Sequence, residues 1–348
     1  MFPPLCFKTF LIPFCSLIIL LHLRGAVLLK AQTPTESRKF ELVGEVRWGE
    51  KEKGRRWVAA VILRGNSTPY SSIVWTDYSG KFKFKKLETG SYTLSAQVRH
   101  RGEKHMTIEI SPSYADRKDR IRQIITVGPA TSGNLILRPD VVSLRELSVS
   151  EKARMQYAEA EKKLSRGEVE RGIHELEKVV KLAPHYVTAI NRLGAIFHLR
   201  REYSKAEQCF REALQNDPKA FAPLVNLGGT LLSMEKFQEA LQINKHAVET
   251  NPLDSLANAQ LGMCYVALSE DDKAMGYLIR AKQLDPMNYS YPQLVLAEIY
   301  RRRGQSESVT QELKEFLKLH PDAPEAKVVQ QQIDDGGIER AGSLLPRH

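Results

Sequence analysis

The chain has 348 residues, 42% hydrophobic and 26% charged, with 51 Lys and Arg against 41 Asp and Glu. That length leaves room for two or three domains with real cores, and the composition is that of an ordinary soluble protein. With only four cysteines the chain does not depend on a disulfide framework, and no CxxC or Cys/His spacing suggests a metal site.

The charge is uneven. Residues 40–130 hold 17 Lys and Arg against 10 Asp and Glu, and beyond residue 30 the rest is near neutral. A basic module of this size favours anionic surfaces, although solvated charged faces are the general rule.

Residues 9–23 (TFLIPFCSLIILLHL) are almost wholly apolar, with Lys8 in front. That is the length of a signal-peptide core and short for a spanning helix. Residues 1–32 are therefore expected to be a signal peptide or an N-terminal membrane anchor, with cleavage near Ala31 or Gln32. Arg24, Lys30, Arg38 and Lys39 follow the run, a bias that opposes export. The expectation is an exported, periplasmic or envelope-associated protein. The alternative is anchoring in the inner membrane by residues 9–23, the only membrane contact foreseen.

Residues 39–138 change to a period of two. Leu42–Val46, Trp57–Leu63, Lys81–Lys85 and Ser91–Ala96 read as strands, and Leu135–Leu137 as the last one. Phe82 and Phe84 point inward while Lys81, Lys83 and Lys85 point out. Gly65-Asn66, Asp77–Gly80 and Glu88–Gly90 separate the runs, with Asp77 and Gly80 read as a hairpin turn. Short strands at this spacing predict a small antiparallel β-sandwich. The outward lysines, with Arg55 and Arg56, form a candidate contact for an anionic glycan or lipid head group. Lysines also protect sheet edges from pairing.

The stretch Thr76–Phe84 followed by Leu87–Leu94 resembles the carboxypeptidase regulatory-like domain, a transthyretin-like sandwich. The resemblance implies a non-catalytic accessory or adhesive unit. No HxxE zinc pair accompanies it.

Residues 139–150 read as a linker, in which Val141, Leu144 and Leu147 are placed to pack on the next helix. Then Pro184, Pro218, Pro252 and Pro286 stand 34 residues apart, each closing a helical pattern. The repeats carry Leu193-Gly194, Phe197, Ala206, Phe210 and Ala213, then Leu227-Gly228, Ala240 and Ala247, then Leu261-Gly262, Tyr265, Ala274, Leu278 and Ala281. Asn244 replaces the large apolar residue expected between Ala240 and Ala247. The set resembles tetratricopeptide (TPR) repeats, in which small residues let paired helices approach and large ones fill the space beside them. Five repeats are expected over 151–322, the first degenerate and the fifth following a one-residue insertion. Residues 323–334 read as a capping helix and 335–348 as a disordered tail. The fold class expected is multidomain, a small β-sandwich followed by an all-α TPR superhelix, or α-solenoid.

In such an array the first helix of each repeat lines a concave face. The resemblance places Arg192, Asn226 and Gln260 there in register, with Val295 in the fifth repeat. Thr188, Asn191, His198 and Ser233 lie beside them, and Tyr157, Met263, Val266 and Leu294 add apolar contacts. Such polar groups suit the backbone of an extended peptide. The carboxylate clamp of some TPR proteins is incomplete, because Leu256 and Gln260 stand where it needs a base. Arg301–Arg303 read as a solvated helix end.

No GxxxxGK[ST], GxGxxG after a strand, HExxH or GxSxG is present, and the histidines show no ligand spacing. No cofactor is expected. The order of modules resembles bacterial envelope proteins that join these two units. The function expected is a non-catalytic scaffold binding a protein or peptide in the groove. The alternative is binding of an envelope polysaccharide through the basic sandwich, with the array as spacer. No nucleic acid is expected.

Overall fold

A computed structural model of the chain describes residues 38–48, 58–98, 102–127 and 149–334. The expectations for residues 1–32, Arg55 and Arg56, Leu135–Leu137, most of the linker and the tail fall outside these.

Among the described residues seven strands come first: β1 Phe40–Trp48, β2 Ala59–Gly65, β3 Ser71–Trp75, β4 Lys81–Leu87, β5 Gly90–Val98, β6 Gly102–Ile110 and β7 Arg120–Val127. They form two sheets, ordered β4-β1-β7 and β3-β2-β5-β6. One core joins both: Phe40, Leu42, Phe82, Phe84 and Ile125 from the first sheet meet Val61, Leu63, Leu94 and Ile110 from the second. Burying these alternate residues drives the layering.

Two local expectations change. The Asp77–Gly80 turn is not a hairpin turn, because β3 and β4 belong to different sheets. It is a corner, tied by the Asp77 carboxylate, which accepts from the Ser79 and Lys81 amides at 2.8 and 2.9 Å. The sandwich is also not wholly antiparallel, since β1 and β7 pair in parallel from Glu41 opposite Arg120 to Trp48 opposite Val127.

Eleven α-helices follow among the described residues: α1 Glu151–Ser165, α2 Val169–Leu182, α3 Val187–Leu199, α4 Tyr203–Asn216, α5 Phe221–Ser233, α6 Phe237–Thr250, α7 Ser255–Ala267, α8 Asp271–Leu284, α9 Pro292–Arg302, α10 Ser306–Leu319 and α11 Ala326–Asp334. Ser150 starts α1 as an N-cap, its hydroxyl accepting from the Ala153 amide at 3.3 Å. The helices pair as five antiparallel hairpins plus α11. Each of the four turns containing Pro184, Pro218, Pro252 and Pro286 joins one hairpin to the next.

The tight contact within three of the hairpins repeats. A Cβ on Gly194 would lie 2.7 Å from Phe210, one on Gly228 2.0 Å from Asn244, and one on Gly262 2.7 Å from Leu278. Only glycine lets the second helix come so close. The first helices of successive repeats touch, α3 with α5 and α5 with α7, so they line one continuous face.

Arg301, Arg302 and Arg303 are not simply a solvated end. They pair with Glu298, Asp271 and Asp272, the last two from the preceding hairpin. No helix among the described residues is long and apolar enough to cross a membrane.

Candidate functional site on the concave face

The repeat register puts Arg192 on α3, Asn226 on α5 and Gln260 on α7, on the face formed by the first helices. Their neighbours determine what they do. Asn226 donates from Nδ2 to Asn191 Oδ1 at 2.9 Å, a bond between adjacent repeats. Its carbonyl accepts from the Thr230 hydroxyl at 2.7 Å, and Thr230 lies 2.9 Å from His198 Nδ1. Burial holds the His198 imidazole below its ordinary pKa, which favours the neutral ring. Gln260 is buried beside Gly229, with Oε1 lacking a partner. Ser233 caps back onto the Gly229 carbonyl at 3.1 Å. Thr188 and Met263 are half-buried on the same face. Tyr157 on α1 is half-buried with its ring 5.5 Å from that of Tyr186, and Leu294 packs into the last core cluster.

Arg192 differs from the rest. Its side chain is only 10% exposed, and Nε donates to Glu161 Oε1 at 2.7 Å. Nη2 donates to the Pro69 carbonyl at 2.7 Å. Pro69 belongs to the sandwich. A predicted peptide-binding group is thus already bound to a main-chain oxygen of the other module.

The contact continues along the array. Asp285, in the turn before α9, accepts through Oδ2 from the Thr107 amide of β6 at 3.0 Å. Asp322, before α11, accepts from the Ser113 amide at 3.1 Å. The Tyr114 hydroxyl donates to the Leu319 carbonyl at 2.7 Å. His320, 2% exposed, sits with Nδ1 3.1 Å from Glu109 Oε2 and its ring 4.7 Å from Tyr291. β3 also packs against α1, so the sandwich lies near the start of the array as well as the later turns. Burial pushes the Tyr157 phenol and the Asp254 carboxyl above their ordinary pKa values.

Strand register explains which surface is presented. Arg64 stands opposite Ser71 and Thr93, and Thr93 stands opposite Thr107. These belong to the outer face of the four-stranded sheet. Ser71 and Thr107 are nonetheless only 7% exposed. β6 is an edge strand, and the Thr107 amide points outward from it to Asp285.

The register found Arg192, but the sequence offered no signal for Asp285, Asp322, His320 or Tyr114. They lie in turns or on the sandwich surface, and their partners are more than 170 residues away.

The basic strip is partly neutralised. Lys81, Lys83 and Lys85 are exposed on one face of β4, yet Lys83 pairs with Glu41 at 2.7 Å and Lys81 acts on Glu45. Among the described residues no cluster of His, Cys, Asp or Glu could hold a metal. Burial pushes the Cys209 and Cys264 thiols up to about 11 and about 12, which leaves neither as a thiolate near neutrality.

Residues 157–221 match the tetratricopeptide repeat family. Tetratricopeptide repeat protein 21B of Xenopus laevis is 25% identical over 173 residues, covering 49% of this chain and 13% of its own length. Tetratricopeptide repeat protein 21A of Mus musculus is 23% identical over 197 residues, covering 56% of this chain and 14% of its own. The chain therefore spans about a seventh of the length of these curated relatives. Among solved structures, MamA from Desulfovibrio magneticus RS-1 aligns with a TM-score of 0.45 at 19% identity, covering 51% of this chain and 99% of that one. YrrB, described as a TPR protein with an unusual peptide-binding site, aligns at 0.42 and 23%, covering 51% and 92%.

Proposed function

We propose that this tetratricopeptide-repeat chain is a non-catalytic interaction scaffold of the cell envelope, whose concave face holds a segment of a partner protein. One observation carries the reading. Side chains of the array already hold main-chain atoms of a separate folded module, with Arg192 on the Pro69 carbonyl and Asp285 and Asp322 on the Thr107 and Ser113 amides. Main-chain groups are common to every polypeptide, so a surface that satisfies them is suited to protein. The envelope location rests on the apolar run at residues 9–23 and on the resemblance of the sandwich motif at Thr76–Leu94 to carboxypeptidase regulatory-like modules.

The exposed lysines of β4 support a second reading, contact with an anionic polysaccharide. The carboxylates of Glu41 and Glu45 stand among them, so the scaffold is the better-supported function.

A photo-cross-linking residue in place of Ser233 tests the scaffold in cells. The expected result is a defined protein adduct whose yield falls about tenfold when Arg192, Asn226 and Gln260 are all changed to Ala, the effect of losing roughly 1.4 kcal/mol of binding. An unchanged adduct in the triple variant would sink the reading.

A further inference from the structure

We propose that the array, from the concave face at Arg192 to the turns before α9 and α11, is an interaction surface for a folded β-module, and that its resident occupant is this chain's own sandwich, which an outside partner must displace. The proposal rests on the scaffold reading above and adds what fills the groove.

Three features select a β-module as the occupant. The first is the way contacts are made. Arg192, Asp285 and Asp322 take one main-chain carbonyl and two main-chain amides, from the β2–β3 loop, from β6 and from the 3-10 turn at Pro112–Tyr114. These three points belong to different parts of one folded body. Pro69 lies between β2 and β3 while Thr107 lies on β6, so it is the fold of the sandwich that brings both to the array.

The second feature is the sheet edge. An edge strand leaves outward amides unpaired, and proteins cover or charge such edges. The outward amide of Thr107 on β6 is covered here by a carboxylate of the array. A charged acceptor makes the stronger kind of hydrogen bond.

The third is charge. The sandwich region carries the chain's excess of Lys and Arg. The array answers with the carboxylates of Asp285 and Asp322, which accept from sandwich amides. Complementary charge of this kind sets register and suppresses wrong partners. Glu109 is the exception on the sandwich side, and it meets His320.

The consequence is competition. When the binding-competent state is only a fraction of the population, apparent affinity falls by that fraction. Opening the contact should therefore strengthen binding of any peptide that uses the same face.

The full chain tests this in three forms. One is unaltered, one carries Glu109→Ala with Tyr114→Phe, and one adds Arg192→Ala to those two. The first variant changes only the sandwich side and leaves the array intact. Two quantities are read: hydrogen exchange at the Thr107 and Ser113 amides, and binding to an immobilised library of random peptides. The unaltered chain is expected to protect both amides. Both variants should exchange them about tenfold faster; the Glu109→Ala, Tyr114→Phe variant, with the array intact, should bind the library peptides about tenfold more tightly, and adding Arg192→Ala should lose that gain. Exchange at the same rate in all three forms would overturn the resident occupant. Faster exchange with no gain in peptide binding by the Glu109→Ala, Tyr114→Phe variant would confirm the docked sandwich and overturn the peptide-scaffold reading instead.

Discussion

At the residue scale, the recurring glycine contact shows how far a repeat pattern can be read. Gly194 faces Phe210, Gly262 faces Leu278 and Gly228 faces Asn244. The small–large pairing was legible from the sequence, and so was the departure at Asn244. Its consequence was not. Asn244 is fully buried, its Nδ2 donates to Cys264 Sγ at 3.3 Å, and its Oδ1 has no partner. A buried acceptor left unsatisfied costs about 1–3 kcal/mol. Asn244→Leu restores the residue type of the neighbouring repeat and removes that orphan. It should raise unfolding stability by about 1–2 kcal/mol, read as a higher urea midpoint with an unchanged slope. A lower midpoint would mean that the Cys264 bond outweighs the orphaned carbonyl. Arg192 teaches the complementary lesson. Its place on the concave face followed from register, but its bond to Pro69 spans 123 residues and belongs to no motif.

At the element scale, the turns inside the hairpins carry a period that the prolines only hinted at. Gly167, Arg201, Glu235 and Ser269 lie 34 residues apart, and all have positive φ, at 78°, 61°, 59° and 60°. Gly304 continues the series at 68°, one residue late. The extra residue lies between α8 and α9, where Tyr291 also adopts the left-handed region at 49°. The left-handed conformation costs a residue with a side chain roughly 1–2 kcal/mol, and glycine returns part of that gain through its freer unfolded chain. Arg201→Gly, Glu235→Gly and Ser269→Gly should each stabilise the array by roughly 0.5–1 kcal/mol, additively because the turns are well separated. A thermal melt of the triple variant checks this, and a lower Tm would contradict it. The strands were less legible. β6 and β7 are broken by charge (GEKHMTIEI and RIRQIITV), so their alternation is weak. The parallel pairing of β7 with β1 depends on a contact far along the chain.

At the scale of the whole molecule, two modules were readable from the change of period, and their relation was not. Local pattern reports which face of an element is apolar. The joint between sandwich and array is made of polar groups: an arginine, two aspartates, a tyrosine and a histidine–glutamate pair. None of these leaves an apolar stripe or a fixed spacing. The one sequence-level trace is the charge imbalance, with a basic sandwich set against carboxylates of the array. Small-angle X-ray scattering of the unaltered chain reads this arrangement most directly. The docked sandwich predicts a single compact particle, with a distance distribution of one peak, that becomes longer in the Glu109→Ala, Tyr114→Phe, Arg192→Ala variant. A two-lobed, extended particle in the unaltered chain, no different from the variant, would contradict it.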